Sequence, residues 1–150
     1  MLDFSNDAIP KDAAIDAPYT QDECDYKEPN DTPDTAAVIM AGDTGPAAIC
    51  AHAGDAGGQD LDYYKFTVSA AATVTIAIQF TNRPGGDLDL ALYNSTGTTM
   101  ITASRGFGDG ETIVCPAVSP PCPSLAAGDY IFEVFPAVTG AVNAYTFSVQ

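Results

Sequence analysis

From Tyr63 to the C terminus apolar residues recur at every second position, and that period decides what the chain can build. "YYKFTV" places Tyr64, Phe66 and Val68 on one side and Tyr63, Lys65 and Thr67 on the other. "TVTIAIQF" sets Val74, Ile76, Ile78 and Phe80 against Thr73, Thr75 and Gln79. "LDLALY", "YIFEVF" and "AYTFSV" repeat the pattern with Leu88, Leu90 and Leu92, with Tyr130, Phe132 and Val134, and with Tyr145, Phe147 and Val149. Alternation of β-branched and aromatic residues marks a strand with one face buried. The runs are separated by turn-forming stretches: "SAAA", "NRPGGD", "NSTG", "GFGDG", "SPPCPSLAAGD" and "AVTGAVN". Only "DTPDTAAVIMA" suits a short helical turn, capped by Asp31 or Thr32. The expected fold class is all-β, an antiparallel β-sandwich whose two sheets bury their apolar faces against each other.

Residues 1–23 lack any apolar period and are dominated by Asp, Ala and Pro. They read as an extended N-terminal arm or linker, with the sandwich domain spanning residues 24–150. Leu2, Phe4 and Ile9 would let that arm pair as an extra strand. Met1, Leu2 and Phe4 run straight into polar residues rather than a leader pattern, so a removed leader is expected upstream. No apolar window approaches the ~18 residues of a membrane helix. Cys24, Cys50, Cys115 and Cys122 contain no C-x-x-C pair, which points to disulfides in an oxidising compartment. Three pairings are open; a local bridge would staple "PAVSPP" between Cys115 and Cys122, leaving Cys24 and Cys50 to clamp the arm. The net charge of -15, from 20 acids against 5 bases, repels a phosphate backbone and favours cations or basic partners.

Five stretches follow one another in order: "EPNDTPDTAAVI", "DLDYYKFTV", "GGDLDLALYNSTG", "LAAGDYIFEVFP" and "NAYTFSVQ". Together, over about residues 26 to 150, they resemble the bacterial pre-peptidase C-terminal domain, whose relatives include the collagen-binding domains of clostridial collagenases. The resemblance implies a jelly-roll-like β-sandwich that is itself non-catalytic and is carried by secreted proteases and other exported proteins. Some such domains bind calcium, and some bind matrix or polymer. "CAHAGDAGGQ" and the Cys115–Cys122 loop depart from the family pattern, so a collagen specificity is not carried over. The Asp-Ala-Pro arm is similar in composition to the spacers behind the lipid anchor of exported lipoproteins.

Calcium takes six to eight hard oxygen ligands. Glu28, Asn30 and Asp31 cluster in "EPND", and Asp60 and Asp62 share one side of the chain ahead of a strand. In the calcium-binding relatives these two stretches share a cation. The resemblance carries that role to Glu28, Asn30, Asp31 and Asp62, and less directly to Asp60. Tyr26 stands where those relatives have a further glutamate, which counts against a full two-ion site. The bland alternative is turn and capping duty. Asp87 and Asp89 offer a similar pair in "GGDLDL", with Asp89 expected to bond the backbone of a neighbouring loop.

His52 is the only histidine and reads as a loop residue, without partners for a triad or a zinc site. Asp87 with Asp109 or Glu111 would mimic a glycosidase pair, but any acid-rich β-protein offers such pairs. Catalysis is not expected. Tyr63, Tyr93 and Phe135 lie opposite the core faces and Phe107 sits in "RGFGDG"; Tyr63, Tyr93 and Phe107 are the candidate ligand platform. The functional expectation is an accessory domain of an exported bacterial protein, extracellular, at the cell surface or lipid-anchored, attaching to a protein or polysaccharide surface with calcium fixing the arm. The alternative is a structural subunit of an extracellular assembly that pairs with copies of itself by strand exchange through the arm.

Overall fold

The computed structural model describes residues 18–40, 42–51 and 60–150. The expected pairing of Leu2, Phe4 and Ile9, the loop role of His52 and most of "CAHAGDAGGQ" lie outside these residues. Among the described residues, the short helix α1 (Gln21–Cys24) is followed by a 3-10 turn at Pro33–Thr35 and eleven strands. These are β1 (Ala37–Val38), β2 (Ala47–Ile49), β3 (Asp62–Val68), β4 (Val74–Gln79), β5 (Leu88–Tyr93), β6 (Met100–Ser104), β7 (Gly110–Cys115), β8 (Ala117–Val118), β9 (Pro121–Cys122), β10 (Gly128–Pro136) and β11 (Asn143–Val149).

Two sheets form the sandwich, in the orders β1-β3-β10-β5-β6 and β2-β11-β4-β7, while β8 and β9 make a small hairpin. All pairings are antiparallel except β1 on β3. Register keeps the apolar positions in line: Phe132 lies between Tyr64 and Leu92, and Ile78 opposite Phe147. Tyr64 is the hub, with ring centroids 5.0 Å from Phe132 and 4.9 Å from Phe147. Ile76, Ile113, Leu88, Leu90 and Val134 complete a closed core. Each such side chain contributes about 1.5–3 kcal/mol on burial.

The helical turn in "DTPDTAAVIMA" is present, capped by Thr32 rather than Asp31. The Thr32 hydroxyl accepts from Thr35 N, as a 3-10 turn of this length requires. Two stretches read as turns contribute strands instead. Gly110 of "GFGDG" opens β7, and "SPPCPSLAAGD" includes β9 and the first residues of β10. β5 and β10 also differ from the one-sided pattern, because their outward residues Asp89, Ala91, Ile131 and Glu133 are buried too. Both are inner strands of their sheet, and long side chains from neighbouring positions lie across them. Tyr93 reaches Glu133, and the Arg105 guanidinium lies 5.2 Å from the Phe135 ring centroid.

The disulfides are Cys24–Cys50 and Cys115–Cys122. The first ties α1 to the end of β2. The second closes the β8–β9 hairpin onto β7. No helix among the described residues is long and apolar enough to cross a membrane.

Candidate metal centre

The stretch after α1 is held against β3 from several directions. Asn30 is fully buried, and its carbonyl accepts from Tyr63 N at 2.9 Å. The Cys24–Cys50 bridge anchors the preceding helix. The Cys50 amide in turn donates to Asp60 Oδ2 at 2.7 Å, so one cysteine fixes both the arm and an acid. Glu28 Oε2 accepts from Asn30 N at 2.8 Å across the bend at Pro29.

Glu28, Asp31 and Asp60 are thereby brought together, with a carboxylate oxygen of each within 4.8 Å of the others. Calcium–oxygen distances run about 2.3–2.6 Å, so oxygens on one ion lie at most about 5 Å apart. The cluster fits inside that limit. Its donors are all hard oxygens, which suits calcium better than zinc, whose structural sites are built mainly from cysteine and histidine. At an effective dielectric of ~20, charges this close repel by about 3 kcal/mol per pair. A divalent cation would reverse the sign of that interaction.

The other two expected ligands brace the cluster. With its amide nitrogen turned toward the carboxylates, Asn30 donates to Glu28 Oε2 at 2.9 Å, Glu28 Oε1 at 3.1 Å and Asp62 Oδ1 at 3.3 Å. Asp62 opens β3 from inside the core, where its Oδ2 accepts from the Tyr145 hydroxyl. That hydroxyl also shares a hydrogen bond of 2.7 Å with Tyr64. Burial holds the Asp62 carboxyl well above the usual aspartate range, and Asp60 adds to this; the Tyr145 bond pulls the other way, and Glu28 and Asp31 push it up further. A relay of Asn30, Asp62, Tyr145 and Tyr64 thus connects the acids to the centre of the sandwich. The sequence signal for Tyr145 and Tyr64 was their inward register, since a buried tyrosine needs a partner for its hydroxyl.

The aromatic candidates do not form one platform. Tyr63 and Tyr93 pack with centroids 6.4 Å apart, and Tyr93 donates to the buried Glu133 at 2.7 Å. Burial first, and then Glu133, hold both phenols above their usual range. Phe107 is 90% exposed on the β6–β7 loop, where its carbonyl accepts from Asn82 Nδ2 at 2.8 Å. Among the described residues no ring contact joins it to the tyrosine pair.

Asp89 does not bond a neighbouring loop as its position suggested. It is buried, and its Oδ1 has no hydrogen-bond partner. Its carboxyl is pushed up to about 6 by burial, then by Asp87 and Glu111, with Arg105 opposing.

The model of the bacterial pre-peptidase C-terminal domain matches residues 60–136. The chain belongs to this family. The crystal structure of the pre-peptidase C-terminal domain of collagenase from Bacillus anthracis is similar, with a TM-score of 0.54 at 18% identity, covering 75% of this chain and 92% of that one. This likeness is one of fold. Looser similarities are to Aeromonas hydrophila PliG, a periplasmic lysozyme inhibitor of g-type lysozyme (TM-score 0.46, 14% identity, 75% of this chain and 94% of that), and to a carbohydrate binding module of Cellvibrio mixtus lichenase 5A (TM-score 0.34, 14% identity, 75% and 89%). No curated protein matches the sequence significantly. As a pre-peptidase C-terminal domain, the chain is a non-catalytic accessory β-sandwich domain.

Proposed function

We propose that this domain attaches an exported bacterial protein to a protein or polysaccharide surface outside the cell, and that calcium locks its incoming segment onto the sandwich. The observation that carries the calcium reading is the convergence of Glu28, Asp31 and Asp60, drawn from two segments far apart in sequence. Bound there, calcium would offset two of the three carboxylate charges and cross-link the segment before β1 to the segment before β3. Asn30 and Asp62 hold the cluster's shape from beneath. Two disulfides support an oxidising compartment, and the family supports a role beside a larger partner rather than chemistry of its own.

The attachment reading is tested by co-sedimentation of the purified chain with insoluble polysaccharides and fibrous proteins, in calcium and in chelator. Retention on one class of polymer, weaker in chelator, is expected. A folded, calcium-loaded domain that stays in the supernatant with every polymer would end the attachment reading. It would leave the calcium site to be judged separately by calorimetry.

A further inference from the structure

The loop between β6 and β7, residues 105–109, is fastened along its length. Glu111 of β7 accepts from the Ser104 hydroxyl and from Gly106 N at 2.7 Å. The Arg105 guanidinium lies over the Phe135 ring. From the loop after β4, Asn82 Nδ2 donates to the Phe107 carbonyl at 2.8 Å, and Asn82 N donates to Asp109 Oδ1 at 2.9 Å. Phe80 N donates to the Asp109 carbonyl at 2.9 Å. The backbone that carries Phe107 is thus held from both sides.

Its side chain is held by nothing comparable. Phe107 is 90% exposed, whereas Phe66, Phe80, Phe132 and Phe147 are buried. Among the described residues it is the only exposed aromatic. The two flanking glycines keep the ring clear, for different reasons. A Cβ on Gly106 would meet Glu111 Oε1 at 2.9 Å, so the fold itself calls for glycine there. A Cβ on Gly108 would meet nothing within 4 Å, so the fold has room for a side chain that the sequence omits. A ring displayed on a fixed backbone loses little freedom when a ligand covers it.

Charge and size limit what that ligand is. The net charge of -15 repels anionic polymers, nucleic acid among them. The aromatic anchor of a protein interface sits inside a ring of contacts that exclude water, on roughly 800 Å² of matched surface. Phe107 instead stands between two glycines, beside the polar Asn82 and Asp109. A sugar ring fits this setting. Its C–H face is about as wide as a phenyl ring and stacks on it, while its hydroxyls stay in water.

We propose that Phe107 is the stacking residue through which the domain holds a neutral polysaccharide. The inference rests on the attachment reading and narrows it: the polymer is an uncharged glycan, and the contact is the loop after β6 rather than the Tyr63–Tyr93 pair. One stacked ring binds weakly, and an insoluble polymer offsets this by presenting many sugar rings at high local concentration.

The test is co-sedimentation of the full chain, F107A and F107Y with cellulose, chitin and granular starch, beside phosphocellulose and collagen fibrils. The unmodified chain and F107Y should be retained on at least one neutral polysaccharide and not on phosphocellulose. F107A should bind it about tenfold or more weakly, the loss expected when one phenylalanine is no longer covered. All three should melt at the same temperature, because the ring packs on nothing. A Tm of F107A well below that of the unmodified chain would make Phe107 a packing residue and overturn the proposal. If F107A is retained as well as the unmodified chain, the proposal is overturned and the attachment reading stands. Retention on collagen fibrils or phosphocellulose alone has the same meaning. Retention on none of the five overturns both.

Discussion

Tyr145→Phe isolates the link between the acid cluster and the core. The ring is kept, so no cavity forms and the contacts around Phe147 persist. Only a hydroxyl is lost, but it donates to Asp62 Oδ2 and shares a bond with the Tyr64 hydroxyl, and all three residues are buried. Each group left short of a partner costs about 1–3 kcal/mol, with the carboxyl end nearer the upper figure. The sum is about 3–4 kcal/mol, or a fall in Tm of roughly 6–16 °C at about 2–4 °C per kcal/mol for a chain of this size. Tyr93→Phe is the control: it removes a single bond, to Glu133, from a half-buried position, and should cost about 1 kcal/mol. Urea unfolding of both variants in chelator gives the comparison without any contribution from bound ions. If Tyr145→Phe costs no more than Tyr93→Phe, the relay contributes nothing to the core and the reasoning is wrong.

Two further outcomes follow from the same structure. Tyr63, Tyr64, Tyr93 and Tyr145 all have hydroxyls held above their usual range, burial being the main cause. The folded state therefore keeps protons that the unfolded chain releases above about pH 10. The stability is intact below that pH and declines as the pH rises past it. Tyrosinate absorbance should then lag during alkaline titration and jump on unfolding; smooth ionisation of every tyrosine in a folded chain would contradict this. Replacing Cys24 and Cys50 by serine opens a link spanning 26 residues, at a cost of about 3–4 kcal/mol in the loop-entropy account. Because Cys50 N also holds Asp60, calcium affinity should fall with it, which calorimetry would detect.

The strands that could be read from sequence are those with unbroken alternation: β3, β4, β5, β10 and β11. β2 is only "AAI", too short to show a period, and "MITAS" of β6 carries mixed exposure along its length. β7 hides its period because the inward position of Glu111 is acidic; the Ser104 hydroxyl and Gly106 amide that make it tolerable come from the preceding strand and loop. α1 did have a local signal, the Thr20–Glu23 capping box. At the site, the acids of "EPND" and "DLD" were legible as a group. Their division into three that converge and two that brace was not, because it depends on Tyr145 arriving from the last strand. The orphan oxygen of Asp89 was equally hidden, since burial of an outward face comes from side chains on neighbouring strands.

The proposed calcium site at Glu28, Asp31 and Asp60 would fasten the incoming segment to the sandwich. Its most direct test is the thermal melt of the unmodified chain and of Asp60→Asn, in calcium, in magnesium and in chelator at equal ionic strength. A native-state ion at a hundredfold excess over Kd adds about 2.7 kcal/mol. A saturable rise of roughly 5–10 °C is expected with calcium, little with magnesium, and a much smaller rise for Asp60→Asn. The same Tm in calcium and chelator for the unmodified chain, or an undiminished calcium shift in Asp60→Asn, would contradict it.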